Sequence, residues 1–313
     1  MLIALVGLRT VGTSFGLALR RSGGAIELVG HDPDRQRSGR AKRLGAVDRL
    51  DGDVVRACER ADVVVIDLPP AGVHQALRVL ADTLPSDALV VALGDLLGPL
   101  LDEARELLPD SSGFVGGHLV APELGGEAAE PTAACLRGAC FFLSPLERTG
   151  AEALDRAAGL AAALGVDPRF TTAREHDGLA AVGSQLPLAT AWALLRVATT
   201  EAGWQDRQRA LGGAYARATS LIQGDRDGLA EMMVANAEPL AFWLGELAEA
   251  LDALRDRLAE GDVAGVEALL AASAEARERW LAGKAKNQPP EIPPITWRDM
   301  LLGGLGRRRG AKE

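Results

Sequence analysis

Cysteine is scarce: Cys58, Cys135 and Cys140 are the three in 313 residues, and they show neither a paired framework nor a metal-ligand spacing. That excludes a disulfide-stapled scaffold and points to a reducing, cytoplasmic setting. Positive charge is not in excess either. The net charge is −9 and no basic face appears before the last few residues, so no nucleic-acid partner is expected. No apolar run reaches the roughly 20 residues needed to cross a bilayer, so no membrane partner is expected. The apolar opening has no charged segment before it and reads as a core strand rather than a signal peptide. His-Glu-x-x-His, Cys-x-x-Cys and Gly-x-Ser-x-Gly are all missing, which leaves metal hydrolysis and serine-type acyl transfer without support and predicts no metal site. No internal repeat is present. What remains has the composition of a globular chain, 48% apolar and 25% charged, long enough for two domains.

The first 32 residues carry the strongest pattern. Leu2 to Val6 is an apolar run fit for a buried strand, followed by the turn Gly7-Leu8-Arg9-Thr10-Val11-Gly12. A helical stretch runs to about Arg21, and a second strand, Ala25 to Gly30, leads into His31-Asp32. A strand, glycine turn, helix and strand closed by an acid is the layout of a dinucleotide site. Gly7 lets the chain turn, Gly12 lets the helix begin close to the strand, and the helix N-terminus offers N–H groups to a pyrophosphate. Asp32 would accept from ribose hydroxyls and repel a 2′-phosphate, which predicts NAD as cofactor rather than NADP. Arg9 stands where a middle glycine is usual. Its side chain would either obstruct the cofactor or swing out to pair with the phosphates.

Strands and helices then alternate. Helical stretches are expected at Asp34 to Leu44, Val54 to Arg60, Val73 to Leu84, Leu97 to Leu108 and Ala151 to Leu164. Strands are expected at Ala61 to Leu68, Leu89 to Leu93, Gly113 to Gly117, Ala139 to Leu143 and Pro168 to Thr172. This predicts an α/β fold, a Rossmann-type doubly wound, mostly parallel sheet, followed by an all-α domain. Ligands of such a sheet bind beyond the carboxyl ends of its strands, which singles out Gly7, Asp32, Leu68-Pro69, Gly94-Asp95 and His118.

The expected divisions are a dinucleotide-binding domain at 1–172, a helical substrate and dimerisation domain at 173–282, and a Pro-rich, basic tail at 283–313. Asp177 to Thr200 is apolar nearly all round, with Pro187 inside it, as a buried or interface helix would be. Leu240, Leu244, Leu247, Leu251, Leu254 and Leu258 form a seam of period 3.5. Gly261-Asp262 interrupts it, and Val263 to Leu281 is its expected partner. In the tail, a short helix is conceivable at Trp297 to Leu305, ahead of Arg307-Arg308-Arg309.

Among the four histidines, His118 is the sharpest candidate. It follows a short strand, in Gly116-Gly117-His118-Leu119-Val120-Ala121-Pro122-Glu123, at the edge where a nicotinamide would lie. There it would take a substrate hydroxyl proton while hydride leaves the same carbon. His176, beside Asp177, reads as a helix-start capping and packing residue. His31 and His74 read as surface residues.

The order of these features resembles the prephenate/arogenate dehydrogenase family of tyrosine biosynthesis, over roughly residues 1 to 280. The resemblance rests on Gly7 to Ser14, Ala61 to Pro70, Gly117 to Glu123, Leu143-Ser144-Pro145, Glu175-His176-Asp177, Ser184-Gln185-Leu186-Pro187-Leu188, Gly212-Gly213 and Gly224-Asp225. It implies a homodimer formed through the helical domain and an oxidative decarboxylation of a small-molecule substrate. NAD(P)+ takes hydride from the ring carbon bearing the hydroxyl, a histidine at the position of His118 deprotonates that hydroxyl, and loss of carbon dioxide aromatises the ring.

The same resemblance brings out replacements. Asp95 stands for a serine and the lysine of that turn is gone. Gln185 and Leu188 stand for two histidines, and Ser220 stands for a carboxylate-binding arginine. Each carboxylate held without a paired cation leaves about 1.5–3 kcal/mol unmade. Arg217 or Arg9 is a candidate replacement. Ser184, Gln185, Asp95, Arg217 and Ser220 are therefore the expected substrate contacts. Gly7 to Gly12, Asp32, Leu68, Pro69 and Gly94 are the expected cofactor contacts. Three functions stay open: the family reaction, a related dehydrogenase acting on a less anionic substrate, and a cofactor-binding dimer without catalysis.

Overall fold

The computed structural model describes residues 1–109, 113–121, 130–199, 204–222 and 226–286. Pro122-Glu123, Gly224-Asp225 and the expected tail elements lie outside the described residues.

Two compact units divide at His176–Asp177. The first is built on one sheet of eight strands: β1 (Leu2–Val6), β2 (Glu27–His31), β3 (Arg49–Leu50), β4 (Val63–Ile66), β5 (Leu89–Leu93), β6 (Gly113–Val120), β7 (Cys140–Pro145) and β8 (Asp167–Phe170). Their order is β3-β2-β1-β4-β5-β6-β7-β8. Every pairing is parallel except β6 with β7, which is antiparallel. The sheet is thus the mostly parallel, Rossmann-like one expected, with a short extra edge strand at β3.

The apolar strands are buried on both faces, and their alternation divides the core in two. Ile3, Leu5, Val63, Val65, Leu89, Val91, Val115 and Phe141 face one layer, which includes Phe15 and Leu19 of α1 (Thr10–Arg21) and Leu160 of α6 (Ala151–Leu164). Phe15 meets Phe141 edge to face at a centroid distance of 6.3 Å. Ala4, Val6, Val64, Ile66, Val90, Ala92 and Phe114 face the other layer. It contains residues of α3 (Val54–Cys58), α4 (Pro70–Leu80) and α5 (Gly98–Leu107). Helix α2 (Arg35–Arg43) starts at Asp34, whose carboxylate accepts from the N–H groups of Gln36 and Arg37.

One strand boundary differs with consequence. β6 continues three residues beyond Gly117, so His118 lies within the strand, paired with Phe142, rather than after it. The antiparallel partner β7 supplies the extra hydrogen bonds that extend it.

The second unit is helical: α7 (Ala173–Ala180) leads into it, followed by α8 (Leu186–Thr199), α9 (Trp204–Ala210), α10 (Gly213–Ala218), α11 (Arg226–Ala235), α12 (Ala237–Glu260) and α13 (Val263–Lys286). A π-helical turn, Ala181–Gln185, joins α7 to α8 just before Pro187, where a missing N–H is absorbed by the widened turn. The run Ala173–Thr199 is long and apolar enough, by length and composition alone, to cross a membrane. This corrects the expectation that no stretch reaches that length. A core helix passes the same test, and the run is anchored by buried polar bonds. The Gln185 amide donates to the Met232 carbonyl (3.1 Å) and accepts from the Asn236 amide (2.7 Å), which also donates to the Asp177 carbonyl (2.8 Å).

The leucine seam lies on α12, which ends at the left-handed Gly261 and packs against α13. Leu240 is buried, whereas Leu244, Leu251 and Leu258 remain exposed.

Candidate active site

β1 ends at Gly7, whose φ of +94° is open to glycine and costly for other residues. A Cβ at Gly7 would stand 2.0 Å from the Asp67 carbonyl oxygen, and one at Gly12 would stand 2.2 Å from the Gly7 carbonyl oxygen. Both glycines are therefore required for strand, turn and helix to approach as they do. The Gly7 N–H donates to the His31 carbonyl at 2.8 Å, fastening the turn to β2.

Arg9 is the residue capping α1, with φ −70° and ψ −167°, an extended conformation any side chain adopts. An arginine is tolerated there without backbone strain, and its side chain is exposed. It lines a cavity of about 210 Å³ with Leu8, Thr10, Thr13, Arg37 and Arg40. The guanidinium thus belongs to the wall of an open cavity beside the turn. This cradle of glycines, helix N-terminus and cationic side chains fits a dinucleotide pyrophosphate.

Asp32 closes β2 with its carboxylate fully covered. It accepts from the Leu8 N–H (2.7 Å), the Asp34 N–H (2.7 Å) and the Arg37 guanidinium (3.0–3.2 Å). Burial pushes its pKa up, but the Arg37 hydrogen bond and the two N–H groups together outweigh that and hold it below the usual value. Arg37 is 44% exposed and is the donor on Asp32 that can swing away without breaking backbone structure.

Asp67, just beyond β4, was not singled out in the sequence, although an acid closing a β-branched run was a visible signal. It is buried, and its carboxylate accepts from the Gly12 N–H at 2.7 Å. Burial pushes its pKa up; Gly12 and the Arg9 charge oppose this, while Asp32 and Asp95 add to it. Leu68 is half-buried and Pro69 is the N-cap residue of α4. The Gly94 N–H donates to the Gly117 carbonyl at 3.0 Å, holding the β5 end against β6.

His118 carries the chemistry-bearing geometry. Its Nε2 lies 3.6 Å from an Asp95 carboxylate oxygen, and Asp95 is 70% exposed. Its Nδ1 lies 2.9 Å from Nε2 of His176, the two rings meeting edge to face. His176 is 1% exposed, and the Phe142 ring stands against it at 5.3 Å. The expected capping role of His176 is corrected. The α7 start is capped instead by Thr172, whose hydroxyl accepts from the Glu175 N–H (3.2 Å), while the Glu175 carboxylate accepts from the Thr172 N–H (3.1 Å). This reciprocal box satisfies the helix start and leaves the His176 ring for His118. No spacing rule links residues 58 apart, so that pairing was invisible in sequence.

His31 is also corrected: it is half-buried, with Nδ1 3.1 Å from the Asp51 carbonyl oxygen, while His74 is exposed near Glu103. Burial pushes the Cys58 thiol up to about 12, which removes it as a nucleophile. No metal-holding cluster occurs among the described residues.

In the helical unit, Gln185 is buried with its amide spent on Met232 and Asn236. Ser184 is exposed and its hydroxyl donates to the Ala180 carbonyl at 2.9 Å. Arg217 is exposed on α10, and the exposed Ser220 donates to its carbonyl at 2.9 Å.

Residues 15–167 match the family model described as "Prephenate dehydrogenase, nucleotide-binding domain". A probable prephenate dehydrogenase of Streptomyces niveus, NovF, is 31% identical over 268 residues, covering 82% of this chain and 70% of that protein. This chain belongs to the prephenate dehydrogenase family. The prephenate dehydrogenase of Bacillus subtilis is 27% identical over 199 residues, covering 62% of this chain but 52% of its own length. The fold matches that of the Aquifex aeolicus prephenate dehydrogenase, solved in complex with hydroxyphenyl propionate and NAD+. The TM-score is 0.77 at 22% identity, covering 89% of this chain and 98% of that one. The family-model match begins at Phe15, just past the turn that contains Arg9.

Proposed function

We propose that this chain is an NAD-dependent dehydrogenase that oxidises and decarboxylates prephenate or arogenate, with His118 as the base. The observation that carries the reading is a histidine at the sheet's carboxyl edge whose Nδ1 is occupied by His176 and whose Nε2 faces Asp95. Its place in a prephenate dehydrogenase-like fold, and the NAD+ bound to the Aquifex relative, support the cofactor.

Gly7 and Gly12 give the pyrophosphate room, and the α1 N-terminus with Arg9 supplies positive charge. Asp32, once Arg37 swings away, would accept from the ribose hydroxyls. Leu68, Pro69 and Gly94 border the same edge. NAD+, when bound, would supply the acceptor for the hydride that leaves the carbon bearing the hydroxyl. His118 Nε2 takes the hydroxyl proton, and Asp95 offsets the positive charge that forms on the ring. The ring carboxylate leaves as carbon dioxide, giving the aromatic product. In the helical unit, Arg217 is assigned to a substrate carboxylate, with Ser184 and Ser220 as hydroxyl donors, and Gln185 shapes the site through its internal bonds. The exposed Leu244, Leu251 and Leu258 support a homodimer through this unit, which light scattering on the eluted protein tests directly.

Asp95 favours one second reading. A carboxylate 3.6 Å from His118 repels an anionic substrate, which suits a related, less anionic alcohol. Calorimetric titration with NAD+, with NADP+, and then with prephenate, arogenate and a panel of hydroxy acids separates the two. Binding of NAD+ followed by turnover of prephenate or arogenate is the expected result. Turnover confined to the panel transfers the assignment to the second reading. NAD+ binding with no turnover on any substrate leaves a non-catalytic cofactor-binding dimer, and no binding of either dinucleotide overturns the proposal.

A further inference from the structure

Arg37 holds the acid on which the expected preference for NAD+ depends. Its Nε lies 3.1–3.2 Å from both Asp32 oxygens, one Nη lies 3.0 Å from Asp32, and the other lies 3.2 Å from Asp34. The Asp32 carboxylate also accepts from the Leu8 and Asp34 N–H groups and has no exposed surface. The Arg37 side chain, by contrast, is half-exposed, and with Arg9 and Arg40 it lines the cavity beside the glycine turn. Its backbone is fixed in the first turn of α2, where its N–H donates to the Asp34 carboxylate.

A ribose placed there meets the pair, not the bare acid. A 2′-hydroxyl needs an acceptor, and that acceptor is already engaged, so binding the diol means breaking a charge-assisted contact. A 2′-phosphate needs a donor. Asp32 alone would repel it, but Arg37 neutralises that carboxylate at contact distance. A planar guanidinium, with N–H groups on Nε and both Nη atoms, can bridge a carboxylate and a phosphate. The rest of the wall limits the effect. Asp34 pairs with Arg37 and Glu130 pairs with Arg40, so exposed carboxylates offset two of the three cations. The balance favours a narrowed preference rather than a reversed one.

We infer that Arg37 is a specificity-determining residue for the dinucleotide. By pairing with Asp32 it masks the acid from a ribose 2′-hydroxyl and offers its guanidinium to a 2′-phosphate, so that the chain discriminates only weakly between NAD+ and NADP+. The inference rests on the reading of the glycine turn as a dinucleotide site, and binding rather than turnover tests it.

The test is calorimetric titration of the full chain with NAD+ and NADP+, and with 5′-AMP and adenosine 2′,5′-bisphosphate, which differ only in the 2′-phosphate. In the native chain the two Kd values of each pair should lie within roughly 10-fold of one another. In Arg37→Ala, NAD+ and 5′-AMP should bind about 3- to 10-fold more tightly and the 2′-phosphorylated ligands about 10-fold more weakly, the scale of a half-exposed charge-assisted pair. Arg37→Lys, which keeps the charge without the fork, should shift each ligand in the same direction by less. Shifts of opposite sign are the signature, because a merely loosened turn would weaken all four ligands.

A native preference for NAD+ wider than about 10-fold overturns the inference. So does an Arg37→Ala variant in which the two ligands of a pair move the same way or not at all; in either case the NAD reading stands. If Arg37→Ala fails to fold, the native ratios and Arg37→Lys decide. Failure of all four ligands to bind overturns the inference together with the cofactor reading. The expected shifts in a chain that turns over no substrate overturn the proposed dehydrogenase activity and leave the role of Arg37 standing.

Discussion

The two ends of the sheet's carboxyl edge treat their polar groups in opposite ways. At the glycine-turn end, the carboxylates are closed: Asp32 is covered and accepts from Leu8, Asp34 and Arg37, and Asp67 is buried on the Gly12 N–H. At the histidine end, the carboxylate is open: Asp95 projects into solvent beside a His118 whose other nitrogen is held from behind. The first end is a piece of architecture, to which we propose a dinucleotide binds. The second is where we propose that a proton is transferred, and its loss should leave the architecture intact. Substitutions at the two ends should therefore be read by different instruments.

The largest expected effect is at the histidine end. His118→Ala should lower kcat by about 10²–10⁴-fold, the usual share of a general base, with thermal stability and NAD+ affinity little changed. A parallel collapse of stability would break the distinction. Gly12→Ala tests it from the other side. Its Cβ would meet the Gly7 carbonyl at 2.2 Å, so overpacking of about 1–3 kcal/mol should appear in denaturant unfolding together with lost NAD+ binding.

Asp32→Ala should cost about 1.5–3 kcal/mol, since it strips the acceptor from the buried Leu8 N–H and from the Arg37 charge. The pKa of Asp32 is held down in the folded chain, so its contribution is present above the ordinary carboxylate range and lost as pH falls through the depressed value. In the Ala variant that acid-side loss should be missing from a pH series of unfolding midpoints.

The smallest effect is expected at Asp67, and its sign is reversed. Burial raises its pKa, so the folded state binds the proton more tightly than the unfolded state does. Stability then falls as pH rises from the ordinary carboxylate value to the raised one. Asp67→Asn keeps an oxygen for the Gly12 N–H and removes that penalty. The unfolding midpoint at neutral pH should rise, and the pH series should flatten over that window.

The contrast between the two ends also explains what the sequence could and could not reveal. Gly7, Gly12 and Asp32 are close in the chain, and their spacing follows from the geometry of one strand–helix–strand unit, so the fold and the shape of the glycine turn were legible. The burial of the strands followed from their β-branched runs for the same reason. His118 stood out as a histidine at a strand end, although the antiparallel β7 carries the strand past it. His176 and Asp67 reach their partners only through tertiary packing, over 58 and 55 residues respectively, where no periodicity connects them. The burial of Gln185 was hidden likewise, because the Met232 carbonyl it bonds lies in α11 and the Asn236 amide at the junction of α11 and α12.

The most direct test is the stoichiometry of products when the purified chain is incubated with NAD+ and prephenate. NADH and carbon dioxide should appear in equal amounts, and both should fall together in His118→Ala. Native protein that binds NAD+ yet forms neither product from prephenate or arogenate, or a His118→Ala variant that forms them at the native rate, would contradict the assignment of His118 as the base of a prephenate-type dehydrogenase.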